Sequence, residues 1–274
     1  MGWFDDRVAL VTGASSGIGA ALAREFAREG ADVVLCARRE DVLQTVAKDV
    51  EAAGRKALVV ACDVTKDGDC ERAVAAAVER FGRLDVAVAN AGFGVAGRVD
   101  KLSLDDYRRQ MEVNVFGVLR TFFASIDELK KSRGRFVVTG SVSGHVPLAN
   151  TSAYGMSKFA VRGWAHAAHD ELAGEGVSVT LASPGFVETD IRRIDNHQLL
   201  REGARDPIPK WLRLSAEAAA RTIVAATADR KREVVVTFHG KVAVFTYRHF
   251  PWLVHGVLAR AVGKKRSRGF EQEK

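Results

Sequence analysis

The chain has 274 residues, 47% of them hydrophobic and 27% charged, which is enough apolar material for a large core in a single α/β sheet protein. Its formal charge of +7 is local: residues 241–274 carry eight Lys/Arg against two Asp/Glu, while the body is nearly neutral. A chain-wide basic surface for nucleic acid is therefore excluded as the meaning of the charge, and no nucleic-acid partner is expected. Cys36, Cys62 and Cys70 are odd in number and lack metal-type or redox-type spacing, so they read as small buried hydrophobes with no disulfide and no metal site. The N-terminus has no signal pattern and no run reaches the roughly 18 apolar residues of a spanning helix, so a cytoplasmic location is expected.

From Arg7 onward, short apolar runs alternate with helix-period segments: VALVT then GIGAALAREFAREG, DVVLCA then REDVLQTVAKDVEAAG, KALVVAC then GDCERAVAAAVERFG. LDVAVAN, a helical span over 103–131, RFVVTG, a helix opening near Tyr154, VSVTLASPG, a helix over 215–229 and REVVVTF follow. The pattern predicts seven Val-rich strands in a parallel sheet covered by helices on both faces, a doubly wound three-layer α/β/α architecture. No linker or repeat interrupts residues 7–238. The expected organisation is one domain over 1–240 and a basic amphipathic helical extension over 241–274.

After the first strand, TGASSGIG places Gly13, Ser15, Ser16, Gly17, Ile18 and Gly19 at a strand-to-helix turn. Glycines there permit positive φ and close backbone approach, and the new helix offers free N–H groups to a pyrophosphate. The spacing is G-x-x-x-G-x-G, and its position between a strand and a helix is the one that mechanism requires. The second strand ends at Ala37, where NAD-binding chains place an acid, and Arg38 and Arg39 follow. Guanidinium groups pair with a 2′-phosphate, so NADP(H) is preferred over NAD(H); the alternative is that both arginines simply open the next helix at the surface. Asp63 is placed to meet the adenine edge and Val64 to cover the ring, while Asn90, Ala91 and Gly92 end the fourth strand beside the cleft.

Together with Asn114, Ser141, the Tyr154/Lys158 pair and PGFVET at 184–189, these motifs resemble the short-chain dehydrogenase/reductase family in order and spacing over residues 7 to about 238. The resemblance implies a Rossmann-like sheet of order 3-2-1-4-5-6-7 and an Asn-Ser-Tyr-Lys tetrad of Asn114, Ser141, Tyr154 and Lys158. It also implies cofactor contacts from Tyr154, Lys158, Pro184, Gly185, Val187 and Thr189. Family spacing selects Ser141, with Ser143 as the alternate. Asn114 would anchor a water that passes protons to Lys158; read from residues alone it is a helix amide bonding locally to backbone. Extended epimerases and dehydratases share the Tyr/Lys pair but have other glycine spacing, and ketoacyl reductases of the family end near the seventh strand, where this chain continues.

A free tyrosine, with a pKa of about 10, is about 0.1% ionised at pH 7. Lowering that pKa by two units takes about 2.7 kcal/mol, and a unit charge about 4 Å away supplies on the order of 4 kcal/mol at an effective dielectric near 20. The expected function is NADP(H)-dependent interconversion of a ketone or aldehyde and its alcohol, as a carbonyl reductase on an apolar small molecule; the rival reading is a non-catalytic NADP(H) sensor. Ile191, Ile194, Leu199, Leu200, Trp211 and Leu212, mixed with arginines, read either as an apolar pocket under a basic lid or as a packing face with surface arginines. The tail reads as a helix packed on its own domain or on a second subunit, or as an interfacial helix on anionic membrane. The resemblance implies a homo-oligomer, dimer or tetramer, formed through the helices containing 103–131 and 154–173.

Overall fold

The computed structural model describes residues 2–196, 203, 206, 208–254 and 256. Seven parallel strands, β1 (Val8–Thr12), β2 (Asp32–Ala37), β3 (Ala57–Ala61), β4 (Val86–Ala89), β5 (Arg135–Thr139), β6 (Ser178–Ser183) and β7 (Glu233–Val235), form one sheet in the order β3-β2-β1-β4-β5-β6-β7. The chain reverses direction across the sheet between β1 and β4, which opens a crevice at the carboxyl ends of the strands, where ligands bind in open α/β sheets.

The strand residues of β1 and β4 are buried on both sides, as their unbroken Val/Ala/Leu runs require, and the edge strands β3 and β7 are only half-buried. REVVVTF predicts a strand of seven residues, but β7 keeps three. Thr237 leaves the ladder to cap α8 (Phe238–His249), accepting a hydrogen bond from Gly240 N–H at 3.2 Å. Cys36, Cys62 and Cys70 are all buried. A hydrogen bond with Cys36, together with burial, pushes the Cys62 thiol up to about 12.

Helices α1 (Gly17–Arg28), α2 (Glu40–Ala52) and α7 (Ala216–Ala228) cover one face, where Leu22, Phe26, Leu43, Val46 and Ile223 pack on the sheet. Helices α3 (Asp69–Phe81), α5 (Gly117–Ser132) and α6 (Ser152–Leu172) cover the other. There Phe122, Phe136 and Trp164 form an edge-on aromatic cluster, with centroids 4.9 to 5.9 Å apart, that fixes α6 against α5 and β5. The helical span over 103–131 is not continuous: α4 (Leu104–Met111) and α5 are joined by a π-helical turn, Glu112–Phe116. Such a widened turn inside a helix redirects the side chains it carries, and Asn114 lies in it.

Candidate active site

The turn between β1 and α1 is built as a cradle. Gly13 and Gly17 have φ of +66° and +55°, and a Cβ on Gly19 would run into Gly13 O and come within 2.5 Å of Asn90 Nδ2. Ser16, the N-cap of α1, makes no side-chain cap bond, and no acid stands in the first helical turn. The first N–H groups of α1 thus keep their free donors and positive dipole end for an anion, the donor set that a pyrophosphate needs. Gly19→Ala is expected to raise the Kd for a nicotinamide dinucleotide at least tenfold and to lower stability by about 1 to 3 kcal/mol through overpacking; fluorescence titration and urea unfolding check this.

Asn90 is the stitch beneath the cradle. Its Nδ2 donates to Thr12 O at 3.0 Å, its backbone N–H to Thr12 Oγ1 at 3.0 Å, and its Oδ1 accepts from Thr139 Oγ1 at 3.2 Å. Ala91 N–H also donates to Thr12 Oγ1, at 3.2 Å, and Gly92 lies against Asn114, whose Oδ1 would sit 3.1 Å from a Cβ there. Ser15 and Ile18 complete the turn. Arg38 and Arg39 are exposed just beyond β2, with Arg39 as the N-cap of α2. Asp63 Oδ1 accepts from Thr65 N–H and hydroxyl at 3.0 and 2.8 Å, and Val64 packs into the core against Gly117.

Across the cleft, α6 carries Tyr154 and Lys158 on one face. Lys158 is buried and donates from Nζ to Thr139 O at 2.7 Å, with Nζ 5.7 Å from the centre of the Tyr154 ring. Burial lowers the Lys158 pKa from 10.5 to about 8. The same desolvation pushes the Tyr154 phenol upward, while a hydrogen bond from Ser141 and the charge of Arg192 pull it down. Ser141 also caps the 3-10 turn Val142–Gly144 by accepting Ser143 N–H at 3.1 Å. Of the two serines in VTGSVSG, it is Ser141 that reaches the phenol.

Asn114 spends both amide hydrogens on protein, donating to Phe93 O at 3.0 Å and Ser157 Oγ at 3.2 Å, and its Oδ1 accepts Phe93 N–H at 3.1 Å. Ser157 Oγ in turn donates to Tyr154 O at 2.7 Å. Thr12, Thr139 and Ser157 thus brace Asn90, Lys158 and Asn114, partnerships that the motifs do not reveal. A threonine closing each of β1 and β5 is the signal that marks two of them.

Pro184 O accepts Val142 N–H at 2.9 Å, joining the loop after β6 to the turn that carries Ser141. Val187 is buried, and the Thr189 methyl carbon lies 3.1 Å from where a Cβ on Gly17 would stand, so the loop closes over the glycine turn. Arg192 and Arg213 both converge on Asp206, at 2.6 and 3.3 Å, and Arg192 also donates to Val187 O at 2.8 Å. These two arginines are ion-paired inside the segment rather than spread over a surface. Ile191, Ile194 and Leu212 are half-buried, Trp211 is 82% exposed, and Leu199 and Leu200 lie outside the described residues.

The fold and the cradle define a dinucleotide-dependent oxidoreductase. The chain matches the short chain dehydrogenase family over residues 7–199 and belongs to it, the short-chain dehydrogenases/reductases, as an NAD(P)-dependent enzyme of CH–OH and C=O groups. It is 37% identical over 241 residues to 11-beta-hydroxysteroid dehydrogenase A of Sesamum indicum, covering 83% of this chain and 67% of the relative. It is 38% identical over 229 residues to an A-factor type gamma-butyrolactone 1'-reductase (1S-forming) of Streptomyces virginiae, covering 80% and 89%. Among solved structures, a short chain dehydrogenase/reductase from Burkholderia phymatum in complex with NAD superposes with a TM-score of 0.81 at 26% identity, over 92% of this chain and 96% of the other. An alcohol dehydrogenase from Thermococcus sibiricus complexed with 5-hydroxy-NADP gives 0.72 at 31% identity, over 84% and 93%.

Proposed function

We propose that this protein is an NADP(H)-dependent reductase of apolar ketones or aldehydes, with Tyr154 as its proton donor. The observation that carries the reading is the meeting of Tyr154, Ser141 and Lys158 at the mouth of the glycine cradle, with Lys158 joined through Thr139 and Asn90 to Thr12 and Gly13. When bound, the reduced nicotinamide supplies the hydride. Ser141 holds the substrate oxygen, Tyr154 Oη gives it a proton, and the Lys158 ammonium stabilises the phenolate left behind. At pH 7 a lysine with a pKa of about 8 is still mostly charged. Asn114 orders the Phe93 backbone and Ser157 beside them, and the family's water-anchoring role is carried over to it.

Gly13, Ser15, Ser16, Gly17, Ile18 and Gly19 would hold the pyrophosphate, Asp63 and Val64 the adenine, Asn90, Ala91 and Gly92 the cleft wall, and Pro184, Gly185, Val187 and Thr189 the nicotinamide side. The NADP(H) preference rests on Ala37 standing where an acid would favour NAD and on Arg38 and Arg39 following it. Arg38→Ala/Arg39→Ala is expected to raise KM for NADPH roughly tenfold or more while changing KM for NADH less than threefold; equal effects on both cofactors would count against the assignment. The relatives named for hydroxysteroids and gamma-butyrolactones support an apolar carbonyl substrate. Loss of NADPH absorbance over a panel of lipid-like ketones and aldehydes tests the whole reading, and tight NADPH binding without turnover on any of them would favour a sensor. The reading includes a cytoplasmic homo-oligomer with residues 1–240 as its catalytic domain. The exposed Phe238, Val242, Phe245, Phe250, Trp252 and Leu253 mark where a neighbouring subunit or an anionic membrane surface would meet the chain. No helix among the described residues is long and apolar enough to cross a membrane.

A further inference from the structure

The loop after β6 and the first turn of α8 are held against each other at a point where no side chain fits. A Cβ on Gly185 would collide with Thr237 Oγ1 and come within 2.6 Å of His239 Nε2. This close approach lets Phe186 N–H donate to His239 Nε2 at 3.0 Å, and the two rings stack with centroids 5.1 Å apart and planes 20° from parallel. Thr237 Oγ1 lies 3.2 Å from the same nitrogen while it caps α8. Gly240 brings α8 equally close to the turn that carries Ser141, since a Cβ there would lie 2.8 Å from Val142 Cγ2. One helical turn therefore touches both the loop that would face the nicotinamide and the 3-10 turn behind Ser141.

An imidazole nitrogen accepts a backbone N–H only when it is bare, so this geometry requires a neutral His239 with its proton on Nδ1. Phe186 N–H is half-buried, and without this acceptor it would lose its partner inside a loop that, among the described residues, is otherwise held by backbone bonds from Pro184 O to Val142 and from Phe186 O and Glu188 N–H to Leu214, and by Arg192 on Val187 O.

We propose that His239 is a positioning residue for the reaction: its Nε2 fixes the Phe186 backbone, and with it the Pro184–Thr189 loop, so that α8 completes the nicotinamide side of the cleft. This rests on the reading of Pro184, Gly185, Val187 and Thr189 as cofactor contacts. It gives the residues beyond β7 a part in cofactor binding rather than the part of an appended tail.

The test compares His239→Leu, which removes the acceptor, with His239→Gln, whose Oε1 reaches the position of Nε2. In the full-length protein without cofactor, nitrogen NMR should find His239 as the Nδ1-protonated tautomer. Phe186 amide exchange should quicken roughly tenfold in the leucine variant and stay within about threefold of wild type in the glutamine variant. NADPH Kd, measured by fluorescence titration, should rise roughly tenfold with leucine and recover with glutamine. Unchanged Phe186 exchange, or a glutamine variant as impaired as leucine, overturns the proposal; so does faster exchange with unaltered NADPH affinity. Absence of carbonyl turnover by the wild type would sink the reductase reading instead, and the exchange and binding measurements, which need no turnover, still decide this one.

Discussion

Replacing Tyr154 by phenylalanine is expected to lower kcat about a thousandfold while leaving NADPH affinity within about fivefold. The substitution keeps the ring and removes only the hydroxyl, the group that Ser141 contacts and that would deliver the proton. In the protein without cofactor, burial is the largest influence on this phenol and pushes its pKa up, against the downward pull of Ser141 and Arg192. The Lys158 ammonium stands 5.7 Å from the ring centre. A unit charge about 6 Å away contributes on the order of 3 kcal/mol at an effective dielectric near 20, a pull toward the phenolate that acts against burial. Steady-state turnover and a fluorescence titration of the same preparation check the split. Turnover within tenfold of wild type would remove Tyr154 from the proton-donor role.

Lys158→Met should abolish most turnover and also change how stability depends on pH. Lys158 has a pKa of about 8 in the folded chain against 10.5 for the free side chain. Between those values the unfolded chain holds the proton more tightly than the folded one, so stability rises with pH across this window. Below about 8 both states are charged and the full cost of burying the ammonium is present. The shift corresponds to about 3 kcal/mol, gained progressively from pH 8 to 10.5 in the wild type and missing from the methionine variant. Urea midpoints of the two proteins, subtracted at each pH, isolate this contribution from that of other titrating groups. A constant difference from about pH 7 to 10.5 would show that folding leaves the Lys158 pKa unshifted, so that burial does not disfavour its ammonium.

The sheet was readable because each of its signals is local. Unbroken Val-rich runs mark β1 and β4 as central strands, helix-period segments between them impose parallel crossovers, and TGASSGIG stands where a strand meets a helix. Tyr154 and Lys158 were readable for the same reason, since a spacing of four puts them on one helical face. The motifs were less informative wherever a side chain finds its partner far along the chain. Asn90 meets Thr139 across 49 residues, and Asn114 meets Ser157 across 43 from within a π-helical turn that periodicity does not register. Ser141 and Ser143 look alike in VTGSVSG; the letters do not show that Ser141 caps a 3-10 turn by accepting the Ser143 N–H.

The end of the chain shows the same boundary most sharply. Its apolar and aromatic residues, followed by a basic run, lead only to the expectation of a helix beyond the last strand. They do not show that Thr237 abandons the strand, or that His239 lies 3.0 Å from the backbone of a residue 53 positions earlier. By itself the sequence determined the sheet, the glycine cradle and the pairing of a phenol with an ammonium, because periodicity and short-range spacing encode them. Only the tertiary structure decided which groups hold that pair and its loops in place, because those hydrogen bonds join strand ends and helix turns that packing alone brings together.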